Sequence, residues 1–326
     1  MIKNLGNILV TGGAGYIGSV LVDRLITGGH LVNVIDDLSN GYSENLHKDA
    51  NFFQGSILDT DLLNKALDNT EVVLHLGAKI RVEEGESKPE LYKQVNIEGT
   101  LNLLKLCKEK GISKFVFAST AAVYGNPEDF PVTESSKEAP VNVYGQTKLE
   151  IDKYLAKNAV DQGISAISFR FFNVGGALKN AEGKWLKIKH EGATHLIPSI
   201  LRSSEEKPLS IFGNDWPTSD GTPVRDFVHV LDLADALVKS LTHLDKPGHK
   251  IINLGTATGS TVLEVVKAAE GALGRKINFK FADKRAGDSY ALVTSNKIAK
   301  ETLDWQPIKS LANILEDANA ELLANS

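Results

Sequence analysis

A chain of 326 residues, 42% hydrophobic and 24% charged, is long enough to bury a large core in one large domain or two linked ones. Its formal net charge of −5 argues against a nucleic-acid or anionic-membrane surface, and its single cysteine, Cys107, excludes an internal disulfide and a cysteine-rich zinc site. No apolar run reaches the ~18 residues of a membrane span; Lys3 and Asn4 lead straight into a strand with no signal-peptide core, so a cytoplasmic location is expected.

The first predicted strand is Asn7-Ile8-Leu9-Val10. It runs through Thr11-Gly12-Gly13-Ala14-Gly15-Tyr16-Ile17-Gly18 into a helical pattern from Ser19 to Thr27. Glycines at 12, 15 and 18 between strand and helix suit a tight turn, a close backbone approach to a pyrophosphate, and helix-on-strand packing. A second strand, Leu31 to Ile35, ends at Asp36-Asp37. An acid there accepts hydrogen bonds from an adenosine ribose and repels a 2′-phosphate, which favours NAD over NADP. Phe52 to Ile57 reads as the next strand and its exit turn; Ser56 would either cap Asp59-Thr60-Asp61 or touch the adenine. After a helix from about Leu62 to Leu67, Val72-Val73-Leu74-His75-Leu76 is a buried strand that ends in the small residues Gly77-Ala78, with His75 packed rather than ligating. Asn96 opens an amphipathic helix through Lys110, with Cys107 as a core thiol. Phe115 to Ala118 is a strand closed by Ser119-Thr120, a helix runs from Tyr144 to about Asp161, and a strand from Ile164 to Phe171 leads into Asn173-Val174-Gly175-Gly176. Strand and helix alternate throughout, the pattern of an α/β doubly wound parallel sheet whose ligands sit beyond the carboxyl ends of its strands. Gly12, Asp36, Gly77 and Thr120 all follow strands and should line one crevice.

From Val174 to Val224 the alternation weakens. Arg225 to Val230 returns to a strand, Asp232 caps a helix from Leu233 to Leu244, and Ile251 to Gly255 is another strand. Thr261 starts a helix stopped by Gly274, a short strand covers Ile277 to Phe281, and Leu311 to Leu323 is a terminal amphipathic helix. His190 and His195 lack partners at metal-ligand spacing, so no metal is expected.

Tyr144 and Lys148 lie four apart, one turn from each other on a helix face. A neighbouring ammonium favours the phenolate and should lower the phenol's pKa toward neutrality, making a proton-transfer device for an alcohol or ketone.

The glycine loop, Ser119-Thr120 and Tyr144-x-x-x-Lys148 together resemble the extended short-chain dehydrogenase/reductase family. Within it, Ala121-Ala122-Val123-Tyr124-Gly125, Phe171-Phe172-Asn173, His195-Leu196-Ile197-Pro198, Ile211 to Asp215, Asp220 to Asp226, Ile252 to Gly255 and Arg285-Ala286-Gly287-Asp288 resemble the UDP-glucose 4-epimerases almost end to end. The resemblance implies a Rossmann sheet with a smaller α/β substrate-binding domain: residues 1–173 with about 225–255 for NAD, and 174–224 with 256–326 for the UDP-sugar. It implies that Gly12, Gly15, Tyr16, Ile17, Gly18, Asp36, Asp37, Ser56, Ile57, Leu76, Gly77, Ala78, Asn96 and Phe172, with Tyr144 and Lys148, surround the NAD. Tyr144, Lys148 and Thr120 would be catalytic. Asn173, His195, Leu196, Ile211, Phe212, Arg225, Arg285, Asp288 and Leu292, with Thr120 and Tyr144, would hold the UDP-sugar; two arginines are what a diphosphate requires.

The sequence departs from the family at Thr120 (usually Ser), Ser56 (usually Asp), Val174 (usually Pro), Leu292 (often Tyr) and across Lys179 to Glu191, usually an acidic stretch. The expected activity is 4-epimerisation of UDP-glucose and UDP-galactose in galactose metabolism. The alternatives are a UDP-N-acetylglucosamine or UDP-glucuronate 4-epimerase, a 4,6-dehydratase, or a non-catalytic NAD sensor. Ala121-Ala122 beside Thr120, in place of carboxylates, speak against dehydration, and the intact Tyr144 and Lys148 against a sensor. Pairing of the helices at 96–110 and 144–161 across a twofold would make a homodimer.

Overall fold

A computed structural model describes residues 6–190, 195–285 and 287–325. Lys3, Asn4, Glu191 and Ala286, singled out above, lie outside the described residues. The strands are β1 (Asn7–Thr11), β2 (Val32–Asp36), β3 (Asn51–Gln54), β4 (Thr70–His75), β5 (Lys114–Thr120), β6 (Ser165–Phe171), β7 (Asn173–Gly175), β8 (Leu209–Phe212), β9 (Val224–His229), β10 (Gly248–Leu254), β11 (Gly259–Thr261), β12 (Phe279–Ala282) and β13 (Ala291–Leu292). The helices are α1 (Tyr16–Thr27), α2 (Thr60–Ala66), α3 (Val82–Ser87), α4 (Pro89–Lys93), α5 (Gly99–Glu109), α6 (Val143–Asn158), α7 (Leu196–Leu201), α8 (Val230–Ser240), α9 (Val262–Leu273), α10 (Lys297–Leu303) and α11 (Leu311–Asn325).

Among the described residues, seven strands form one parallel sheet in the order β10-β6-β5-β4-β1-β2-β3. Helices cover both faces, so its strands read as continuous apolar runs. Along β1, Ile8 and Val10 enter one core with Leu21, Leu25, Leu233 and Leu237, while Leu9 enters the other with Leu63, Leu103 and Ile151. The winding reverses between β1 and β4, which puts the ligand crevice beyond their carboxyl ends. A third core, around Ile200, Ile211, Val265 and Ile314, holds α7, β8, α9 and α11 together. The strands β7, β9, β11 and β13 form a second sheet, and β8 pairs with β12.

Several expected boundaries move for identifiable reasons. Helix α1 starts three residues early because Gly15, in extended conformation, already serves as its cap. Asn96 does not open a helix. The chain is helical from Pro89, and Asn96 sits within a π-turn at Gln94–Glu98 that joins α4 to α5. Ser56 does not cap α2. Asp59 does, accepting from the Leu62 amide at 3.0 Å, while Ser56 Oγ accepts from the Leu58 amide. Asp232 is not the cap of α8; His229 is, and buried Asp232 instead accepts from the amides of Ile308 and Lys309. Thr261, Glu264 and Gly274 do what their types suggest, a reciprocal capping box and a left-handed stop. Leu103, Leu104, Leu106 and Cys107 of α5 are all buried within this chain, and burial pushes the Cys107 thiol up to about 12.

His75 is a structural histidine. The Thr11 hydroxyl accepts from the Gly77 amide at 3.0 Å, so its own proton goes to His75 Nδ1 at 2.7 Å. His75 Nε2 then donates to Thr100 Oγ1 at 2.8 Å, and Thr100 donates to the Asn96 carbonyl at 2.7 Å. Burial, with the Lys148 charge in second place, depresses the imidazole from 6.5 to about 3. Because the folded value lies below the unfolded one, the unfolded chain binds the extra proton between them. The stability His75 contributes is therefore present above pH 6.5 and lost as pH falls toward 3. Acid unfolding followed by circular dichroism should lose about one proton's worth of pH dependence over that window in His75→Gln. An unchanged slope would show that His75 does not carry it.

Candidate active site

The glycine loop joins β1 to α1 at the point where the winding reverses. Gly12 has φ +71°, and a Cβ on it would lie 2.8 Å from the Gly77 amide nitrogen. A Cβ on Gly18 would overlap the Gly12 carbonyl oxygen. At Gly15 the nearest atom to a Cβ is the Gly12 oxygen at 3.3 Å, so its outer side is comparatively open. Gly15 brings no side-chain cap to α1 and the first turn holds no acid, which leaves the leading amides open to an anion. Asp36 fastens this loop: Oδ2 accepts from the Ala14 amide at 3.0 Å and Oδ1 from Leu38 at 2.8 Å. Its pKa is raised by burial despite these bonds. Asp37 Oδ1 accepts from the Ser39 amide. These residues fit a dinucleotide: amides for the pyrophosphate, an acid for the ribose, and glycine where backbone must come close.

Other residues predicted for the cofactor act through their neighbours. Asn96 gives its oxygen to the Lys79 amide at 2.8 Å and its amide group to Lys79 O and Thr147 Oγ1, so it braces the 77–79 segment. The Ile57 side chain is buried in the core against the position of Gly99, which leaves its backbone as the part free to meet a ligand. The Tyr16 hydroxyl donates to Gly176 O at 2.6 Å, tying α1 to the segment after β7. Ile17 packs between two cores, and the Leu76 amide continues the β4–β1 ladder to Thr11 O. Ala78 follows Gly77 in the braced segment.

Tyr144, Lys148 and Thr120 come together where β5 meets α6. Asn142 caps α6 by accepting from the Gly145 amide at 2.7 Å, which sets Tyr144 in the first turn. The Thr120 hydroxyl, which accepts from the Ala122 amide at 3.2 Å, lies beside the Tyr144 phenol and favours its ionised form. Lys148 Nζ donates to Ala118 O at 2.8 Å and lies 4.6 Å from the Phe117 ring. Electrostatics differ from the sequence expectation. Burial pushes Tyr144 up to about 12, with the Thr120 hydrogen bond opposing, and pushes Lys148 down to about 7, with Asp152 opposing. Desolvation dominates at both groups, and the Lys148 ammonium is turned to Ala118 O, so the protein groups alone do not bring the phenol to neutrality.

A second group forms across the crevice. Phe172 is buried with Val123 and Leu149, and Leu292 packs on that cluster. Leu292 pairs in register with Arg225, whose Nη1 donates to Val224 O and Ser289 O and whose Nη2 lies 3.7 Å from Asp288. The Arg285 guanidinium stacks on Phe212 at 3.8 Å, and the exposed His195 stands at the N-cap of α7. Asn173 Nδ2 donates to Asp226 O at 3.1 Å. Leu196 is half-buried and Ile211 wholly buried in the third core. Among the described residues no three histidine, cysteine or carboxylate side chains gather as a metal site, and no helix is long and apolar enough to cross a membrane.

Sequence reasoning missed two buried acids. Asp226 accepts from the amides of Thr256, Ala257 and Thr294 and from the Thr256 hydroxyl, locking β9 to the ends of β10 and β13. Asp152 accepts from Ser119 Oγ at 2.9 Å and Arg170 Nε at 3.0 Å. The available signal was Arg170 itself, a charge inside an apolar strand that demands a buried partner.

A doubly wound sheet with a glycine loop, a ribose-side acid and a hydroxyl–phenol–lysine cluster on one crevice defines a dinucleotide-dependent enzyme acting on an alcohol or ketone. The chain belongs to the NAD dependent epimerase/dehydratase family, whose profile matches residues 8–255. It is 40% identical over 316 residues to a UDP-glucose 4-epimerase of Corynebacterium glutamicum, covering 95% of this chain and 94% of that one. Among solved structures it resembles UDP-glucose-4-epimerase from Stenotrophomonas maltophila with bound NAD and formylated UDP-arabinopyranose (TM-score 0.93, 32% identity, 98% of each chain). It also resembles the Brucella ovis UDP-glucose 4-epimerase in complex with NAD (TM-score 0.90, 34% identity, 97% and 98% covered).

Nucleotide released by denaturing the purified protein should be NAD and not NADP. Asp36→Ala should cut its retention about tenfold or more, since a charge-assisted bond is worth about 1.5–3 kcal/mol. Release of NADP, or full retention in the variant, would remove Asp36 from this role.

Proposed function

We propose that this protein is a UDP-glucose/UDP-galactose 4-epimerase that inverts C4 of the sugar through a transient 4-keto state. The observation that carries the reading is the Thr120 hydroxyl beside the Tyr144 phenol at the end of β5, with Lys148 one helical turn on and Ala121-Ala122 rather than carboxylates flanking it. Such a site can remove and return a proton at one hydroxyl, and it lacks the added acid for eliminating water. When bound, NAD supplies the hydride acceptor, the hydride donor for the return step and one further positive charge. Tyr144 takes the proton of the sugar O4 and gives it back; Thr120 orients that hydroxyl; Lys148 supports the phenolate. Arg225 and Arg285 hold the diphosphate, with His195, Phe212, Asp288 and Asn173 around the nucleotide and sugar. Gly12 to Gly18, Asp36, Asp37, Ser56, the 76–78 segment and Phe172 surround the NAD. In this reading residues 1–173 with about 225–255 form the NAD domain, and 174–224 with 256–326 the UDP-sugar domain. The third core, around Ile200, Val265 and Ile314, supports a separately packed substrate side. The enzyme would work in the cytoplasm in galactose metabolism, as a homodimer through α5 and α6.

UDP-galactose should convert to UDP-glucose with no added oxidant or reductant, because net redox change is zero. Tyr144→Phe should lower turnover roughly 10²–10⁴-fold while UDP and NAD binding stay within a few-fold. A variant keeping half its activity would show that the base lies elsewhere.

Leu292 favours a broader sugar range. It packs on the Phe172 cluster beside Arg225, at a wall where a tyrosine would reach further and crowd a 2-acetamido group. UDP-N-acetylglucosamine should therefore be epimerised as well, and Leu292→Tyr should remove that activity selectively. Equal loss on both sugars, or a wild type inert toward the N-acetyl sugar, would show that Leu292 is not the gate.

A further inference from the structure

Tyr144, Lys148 and Asp152 recur every four residues along α6 and line its sheet-facing side. Three consecutive residues of β5 meet them. The Thr120 hydroxyl lies beside Tyr144, Ala118 O takes Lys148 Nζ, and Ser119 Oγ donates to Asp152 Oδ2 at 2.9 Å. Behind Asp152 stands Arg170 on β6, fully buried, donating from Nε to the same oxygen at 3.0 Å and from Nη2 to Glu138. The result is a line of alternating charge: Lys148, Asp152, Arg170, Glu138. Lys148, Asp152 and Arg170 are each at most 2% exposed. Asp152 Oδ1 and Arg170 Nη1 are buried with no hydrogen-bond partner, so the carboxylate is not saturated by the arginine and keeps one oxygen uncommitted.

We propose that Asp152 is a positioning residue for Lys148: anchored by Ser119 and Arg170 one helical turn further along α6, and making no direct ion pair with it, its buried carboxylate acts through space on the ammonium that Ala118 O holds in place. The proposal rests on the epimerase reading for its catalytic consequence, but the effect on Lys148 does not depend on that reading. Lys148 faces few other charges. On β4, His75 is neutral and hydrogen-bonded at both nitrogens; on α6, Tyr144 is a neutral phenol; on β5 only a carbonyl and the Phe117 ring approach. Among the described residues Asp152 is therefore the anion that opposes the desolvation pulling Lys148 down to about 7. Asp152 in turn faces Ser119 on β5 and Ser168 and Arg170 on β6, all of which favour its ionised form. Arg170 faces Asp152, Glu138 and the Tyr124 ring, with His249 held uncharged nearby by burial and by Arg170 itself. A salt bridge that only glued α6 to β6 would need neither the unsaturated oxygen nor the four-residue spacing from Lys148.

The test is a 15N titration of the lysine ammonium groups in the purified holoenzyme, with the Lys148 signal assigned by its loss in Lys148→Arg. Asp152→Asn should lower the Lys148 midpoint by about one pH unit or more, while Asp152→Glu, which keeps the charge, should stay within about half a unit of wild type. In the UDP-galactose assay, Asp152→Asn should move the alkaline fall of kcat to lower pH by the same amount with KM unchanged, and Asp152→Glu should restore it. An unmoved Lys148 midpoint in a folded Asp152→Asn overturns the proposal, even if the variant melts earlier. If Asp152→Asn does not fold, Ser119→Ala carries the same measurement: a smaller downward shift supports the proposal and none overturns it. A wild type without epimerase activity would refute the epimerase reading alone, since the lysine titration would still decide the role of Asp152.

Discussion

The interlock between the last three residues of β5 and the first three turns of α6 is the constraint on which the site depends. Ala118 and Ser119 bond Lys148 and Asp152, and Thr120 lies beside Tyr144. β5 is paired by β4 up to Phe117 and by β6 through Thr120 in parallel register, so the strand cannot slide without breaking two ladders. Buried charges raise the stakes further. An ionised group taken out of water and left unpaired costs several kcal/mol or shifts its protonation instead. Lys148, Asp152 and Arg170 are all buried, so a slip of one residue in α6 would strand three of them at once. The penalty for misplacing this cluster is therefore what enforces its geometry.

The cofactor side is tied to the same cluster through hydrogen bonds. The Asn96 amide group reaches both Lys79 O and Thr147 Oγ1, and Thr147 is one residue before Lys148. From Asn96 the chain of bonds passes through Thr100 and His75 to Thr11, which precedes Gly12. Glycine loop, β4 exit and α6 are thus one connected unit. The π-turn at Gln94–Glu98 is what allows it: one extra residue per turn aims the Asn96 side chain at Lys79 while its carbonyl still receives Thr100.

What the sequence made legible was local. The glycine triplet, the acid at the end of β2, the Tyr-x-x-x-Lys spacing and the Thr261/Gly274 caps each act within a few residues, and their structural consequences follow from steric or hydrogen-bonding rules that hold anywhere. Helices α3 and α4 escaped because each is a turn or two long, charged, and separated by Pro89. The roles of Asp232 and Asp226 escaped because their partners are 30 to 77 residues distant. The competition at Tyr144 was misjudged for a related reason. The four-residue interval to Lys148 is visible in the spacing, whereas the desolvation that dominates at Tyr144 comes from tertiary packing, which no spacing reveals.

The stretch that departs most from the family makes the same point about distance. Read in sequence, residues 179–191 bear on contacts near the sugar. In the structure the described part, 179–190, lies against the segment after β2. Lys187 exchanges two 2.8 Å bonds with the Asn45 side chain, and Lys189 Nζ reaches Ser39 O. Its far end is pinned to α11, where the fully buried Glu321 accepts from the Ile188 amide and pairs with His190. The exposed ion pairs along it, Lys187–Glu44 and Lys48–Glu182, add little in water. The reciprocal Asn45 bonds and the buried carboxylate are the contacts that fix its course. They connect the loop beside Asp36-Asp37 to the terminal helix of the third core. A change in this stretch therefore acts first on how the loop after β2 is held to α11.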